Sequence, residues 1–220
     1  MKPGRRLWIL VLKDLRAEWR SGTSLGALGV YSLSTVYVCY RAFLSLPQTR
    51  LWVTLLWIIM VFSGAFMASG LFRHEAGQGR TFYYPLVRPW ELYFSKIITA
   101  AGLQSLVLLW VFLAFSLFFG WPEGAAGWFI AAYWISGWAI SSQFVFAAAV
   151  ASKADPKGGL TAVLGLPIML PALMLSLKTG FLAADGLTQG AFFQYLAALM
   201  VFCLLPAGLG AGLYSYLWHD

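Results

Sequence analysis

Residues Phe72 to Lys96 read FRHEAGQGRTFYYPLVRPWELYFSK, a stretch with both signs of charge, two glycines and two prolines, set between long apolar runs. The chain around it is 60% hydrophobic and only 10% charged, with a mean hydropathy of +0.75. That composition lies outside the globular range and belongs to a polytopic membrane protein. A concentrated polar segment in the middle of such a chain is expected where it leaves the lipid to meet a partner.

Working outward, a spanning helix needs about 20 apolar residues, and the 220 residues leave room for six. The expected architecture is all-α, a single domain over 1–220. Its spans are near 23–45, 51–72, 92–119, 128–151, 159–177 and 191–216, and 73–91 is a coupling segment between the second and third. The short outer connections hold Pro47, then Trp121 to Gly124, then the longer KTGFLAADGLTQG from Lys178. Phe181 and Leu182 in the last are candidates to dip back into the interface.

Charge sets the expected orientation. Of the fifteen basic residues, twelve fall at the amino terminus, in 73–96 and at Lys153 and Lys157; Arg41, Arg50 and Lys178 fall in the intervening loops. Under the positive-inside rule this puts both termini in the cytoplasm. The alternation by loop makes the net charge of +7 a topology signal, not a nucleic-acid footprint.

Residues 5–20 show helical periodicity, with Trp8, Val11, Leu12, Leu15 and Trp19 on one side and Arg6, Lys13, Arg16 and Arg20 elsewhere. An amphipathic helix on the inner leaflet is expected, its tryptophans at headgroup level and its cations facing anionic lipid; a plain basic flank of the first span is the alternative. The run Leu7 to Leu12 is too short for a signal-peptide core. The fifth span carries Pro167 and Pro171, each removing a backbone hydrogen bond, so a kinked or broken helix is expected there, either lining protein or a wet cavity or merely tolerated. Gly22 with Gly26, Ser63 with Met67, and Gly208 with Gly212 have the spacing of close helix packing.

Some chemistry is missing. No ionisable side chain lies well inside a span, and the deepest polar groups are Gln104, Ser105, Ser141, Ser142 and Gln143, which disfavours ion-coupled transport. His74 and His219 form no HExxH-type pattern, and Cys39 and Cys203 read as small packing residues. No catalytic, cofactor-binding or metal set is expected. No GxxxxGK[ST] loop is present, so energy from a nucleotide would have to come from a separate subunit.

In 72–96, Arg73, Glu75, Gly79 and Arg80 leave the second span, Tyr83 and Tyr84 follow Phe82 in an aromatic cluster, and Arg88 precedes Pro89-Trp90-Glu91, where proline suits the first turn of the next helix. Exposed aromatics and charges on a short connector suit protein docking. With LKDLRAEWR at 12–20 and GGLTAVLGLPIMLPALMLS at 158–176, this layout resembles the heme exporter protein B family. Its members are type-2 ABC permease subunits of the cytochrome c maturation system. The family's acidic residue, glycine, proline and span-opening lysine match Glu75, Gly79, Pro85 or Pro89, and Lys96; where the family often has a further acidic residue, this chain has Thr81 and Phe82.

The resemblance implies a homodimer in the bacterial inner membrane. It implies an ATPase subunit supplying ATP and Mg, a heme-handling membrane protein, and a periplasmic heme chaperone. Heme would be cargo, or the loaded chaperone would be released by force. The chain lacks a WGxxWxWD-type heme motif and an outer histidine, which favours force transmission. The alternatives are another amphiphilic cargo (lipid, polysaccharide or drug) or a non-transporting membrane scaffold.

Overall fold

Hydrocarbon offers backbone groups no water, so a spanning chain must satisfy them internally, and helices do this within one segment. The computed structural model describes residues 3–21, 23–43, 48–72, 87–120, 126–154 and 159–217. Among the described residues the regular elements are α1 (Pro3–Ser21), α2 (Thr23–Ala42), α3 (Thr49–Leu71), α4 (Pro89–Phe119), α5 (Ala126–Ala154), α6 (Gly159–Ala184) and α7 (Ala191–Leu217). The fold is all-helical. Helices α3 to α7 are each long and apolar enough to cross a membrane, and the protein is a polytopic membrane protein. Helix α2, expected as the first span, runs twenty residues but is less apolar. Two of its hydroxyls fold back onto their own helix, Ser32 Oγ donating to Gly29 O at 3.0 Å and Thr35 Oγ1 to Tyr31 O at 2.8 Å, so both are satisfied locally.

Helix α5 is the centre, packed against α3, α4, α6 and α7. It is rich in alanine, serine and glycine, and small side chains let neighbouring backbones approach. Ala132, Ser136, Ala139 and Ala147 are fully buried. The outer faces of α6 and α7 are instead bulky and apolar, with Leu170, Met174, Val201 and Leu204 exposed. Small residues thus concentrate where α5 meets its neighbours, and bulky apolar ones cover the outside of α6 and α7.

Buried amides join the helices. Pro206 has no N–H, so the Phe202 carbonyl one turn earlier loses its helical partner; Gln143 Nε2 of α5 donates to that oxygen at 2.9 Å. Gln104 Nε2 reaches Ser63 Oγ at 3.3 Å and Met60 O at 3.4 Å, tying α4 to α3.

Close approach occurs at glycines other than the expected pairs. A side chain at Gly210 would overlap the Tyr93 ring and hydroxyl, one at Gly165 would overlap Phe144, and one at Gly180 would meet the Trp57 ring at 2.8 Å. Gly26, Gly208 and Gly212 face open space. Gly180 also accounts for a boundary difference. Lys178-Thr179-Gly180 reads as a helix end, yet α6 continues to Ala184 because Trp57 packs onto the glycine and Ala183 and Ala184 are buried. Phe181 and Leu182 are therefore helical, and the connection between α6 and α7 shrinks to 185–190.

Helix α6 is uninterrupted through Pro167 and Pro171. Both prolines lie on its exposed face, while Met169 and Ala172 turn inward, so they do not line an internal cavity.

Gly210→Ala should lower the unfolding midpoint of the detergent-solubilised protein by an amount matching overpacking, about 1–3 kcal/mol. Gly208→Ala, in open space, should leave it unchanged or raised. Equal behaviour of the two would refute the close approach of Tyr93.

Candidate functional site

The described residues on either side of 73–86 converge on one charged junction. Arg73, Glu75, Gly79, Arg80, Tyr83 and Tyr84 lie outside the described residues; Phe72 and Arg88 flank them. Pro89 occupies the first turn of α4, and the Arg88 N–H donates to Glu91 Oε2 at 3.2 Å. A buried carboxylate at a helix amino terminus is favoured by the unpaired N–H groups there.

Two turns into α4 sits Lys96, 1% exposed, its Nζ 2.9 Å from Asp14 Oδ2 of α1. The other carboxylate oxygen, Oδ1, lies 3.0 Å from Lys13 Nζ. The Lys96 ammonium also lies 5.9 Å from the centre of the Phe72 ring, within cation–π range. One lysine thus contacts α1 and the end of α3 from α4. A turn away on α4, the Tyr93 hydroxyl donates to Pro206 O of α7 at 2.7 Å. The first turns of α4 therefore fasten α1, α3 and α7 together at the mouth of the 73–86 segment.

This geometry gives α1 a face packed against the bundle. The protein-facing stripe is Leu10, Val11 and Asp14, with Leu15 half-buried. Trp8 and Trp19 are 57% and 72% exposed, and Arg16 and Arg20 are exposed with them. This stripe shares Val11 and Leu15 with the apolar side read from the sequence and adds Asp14. Leu7, Leu10, Val11 and Asp14 follow i, i+3, i+4, i+7 spacing, and a carboxylate on an apolar stripe requires a cation opposite. That pattern is the sequence signal for the pair. Lys96 stood out as the lysine opening a span, but nothing in the linear order ties it to Asp14.

Among the described residues no group of three or more histidine, cysteine, aspartate or glutamate side chains is placed to hold a metal. The junction can hold helices in register and pass displacement between them. Compared with protein-family models and with curated proteins, the sequence matches none.

Removing one partner of a buried ion pair leaves an uncompensated charge, a loss of about 3–5 kcal/mol. Asp14→Ala should lower the unfolding midpoint correspondingly and expose α1 to protease. Asp14→Ala with Lys96→Met should recover most of that stability, because the stranded charge is gone. A double variant as unstable as Asp14→Ala would show that the pair is not the contact that matters.

Proposed function

We propose that this chain is the membrane permease subunit of an ABC transporter acting in cytochrome c maturation, a member of the heme exporter protein B group. A separate ATPase subunit would dock on the 73–91 segment from the cytoplasm, with Arg73, Glu75, Gly79, Arg80, Tyr83, Tyr84 and Arg88 as contacts. In this account α2 is the first of six spans, both termini are cytoplasmic, and two copies assemble.

The observation that carries the proposal is the meeting of two separate motifs on which the resemblance rests. Asp14 belongs to LKDLRAEWR, Lys96 closes the segment after the second span, and they are 2.9 Å apart in a buried pair. The missing phosphate-binding loop is consistent with energy arriving from a partner.

The mechanism follows from what is fastened to what. A displacement of 73–91 by the ATPase pulls on α3 through Phe72 and on α4 through the capped turn at Arg88 and Glu91. Lys96 passes it to α1 through Asp14, and Tyr93 passes it to α7 through Pro206 O. Breaking the buried pair costs several kcal/mol, so these elements shift together before they separate. Helix α5, packed against α3, α4, α6 and α7, receives the motion at the centre. The output is movement of the spans, delivered to heme or to the chaperone that carries it.

Co-expression with the ATPase subunit tests this. The two should co-purify, and Glu75→Ala, Arg80→Ala and Tyr83→Ala should each reduce permease-coupled ATP hydrolysis roughly tenfold, the scale of an interface hot spot. Failure to co-purify, or unchanged hydrolysis in all three variants, would reject the docking assignment.

A further inference from the structure

An apolar groove of about 630 Å³ opens beside the charged junction, lined by the first turns of α2 (Ala27, Leu28, Tyr31), the last turns of α3 (Phe62, Ala65, Phe66, Ser69) and Ala162 of α6. Its volume falls within the range of about 300–1,000 Å³ typical of small-molecule sites. Ala27, Ala65 and Ala162 line it beside Phe62, Phe66 and Tyr31, all three of which are substantially exposed. We propose that it holds an acyl chain of an anionic phospholipid, whose phosphate is met by Arg16 and Arg20 of α1.

Three observations assign that occupant. The groove lies at the end of the bundle where α1 sits: Ser69 is one turn before Phe72, whose ring approaches Lys96, the partner of Asp14. Only one residue lies between the end of α1 at Ser21 and the start of α2 at Thr23, so Arg20 precedes Ala27 of the groove by seven residues. Charge completes the match, because the acidic groups of α1 are engaged elsewhere. Asp14 is held by Lys96 and Lys13, and Glu18 has a partner of its own. Arg16 and Arg20 are exposed on the outward side of the helix beside Trp19, an arrangement suited to headgroup depth. An apolar slot on the helix that follows a pair of exposed cations complements a molecule with an apolar tail and a negative head. A zwitterionic lipid offers the tail without the net charge, so the groove alone selects weakly and the arginines select strongly.

The inference depends on the membrane location of the bundle and not on the transported cargo. Native mass spectrometry of the full-length protein in neutral detergent tests it, with dioleoyl phosphatidylglycerol and dioleoyl phosphatidylcholine as probes. Phosphatidylglycerol should be retained saturably, one molecule per chain, and preferred about 25-fold if each arginine near the surface contributes roughly fivefold. Arg16→Gln with Arg20→Gln, both surface changes, should abolish the preference without altering the unfolding midpoint. Ala27→Trp, at an exposed wall position, should displace both lipids. Equal retention of the two lipids overturns the proposal, as does unchanged phosphatidylglycerol binding in Ala27→Trp. If Ala27→Trp converts a dimer to monomer while lipid retention stays the same, the groove is an interface between copies and the lipid assignment is wrong.

Discussion

A lysine buried at the start of a membrane helix must find an anion, and the position of Asp14 is how this fold meets that demand. Two charges withdrawn from water recover their desolvation only at close range and in one geometry. The Lys96–Asp14 contact of 2.9 Å therefore fixes where α1 lies on α4, in rotation and in height. An apolar contact would tolerate sliding by a fraction of a turn; this one does not. From that fixed point follow the outward face of α1, the placement of Arg16 and Arg20, and the bracketing of the segment between Phe72 and Arg88.

The rest of the bundle obeys the same economy of polar groups in lipid. Gln143 takes up the carbonyl freed by Pro206, and Gln104 bridges to Ser63 and Met60. Serine hydroxyls return to carbonyls three residues back, as at Ser63, Ser142 and Ser176. Helix–helix hydrogen bonds of this kind contribute modestly, on average about 0.6 kcal/mol each. Their larger effect is on specificity, since each has one partner in one register. Packing does the remainder, with Trp52, Trp57, Phe115, Phe129 and Tyr133 forming a chain of edge-to-face rings between α3, α4 and α5.

Much of this was legible in the sequence, because apolar runs of spanning length are a strong local signal. The helical class and the places of α3 to α7 follow from it directly. What failed to show was anything decided by partners distant in sequence. Gly208 and Gly212 have the spacing of a packing motif, yet it is Gly210 that Tyr93 covers, and only tertiary placement distinguishes them. Lys178 and Gly180 read as a helix end until Trp57 is known to lie on the glycine. Asp14 was visible on the α1 stripe, but a stripe drawn by apolarity skips the one charged residue that orients it. The 73–84 contacts rest on the sequence alone.

In the proposed account, a membrane bundle fastened at the start of α4 by the Lys96–Asp14 pair receives work from a nucleotide-hydrolysing partner. The central claim is that this work serves the maturation of c-type cytochromes. The most direct measurement is heme staining of c-type cytochromes in cells lacking this chain, with the wild-type chain supplied in trans as the control. The account predicts their loss and their return on complementation. Normal heme-stained cytochromes in the deletion strain would contradict it.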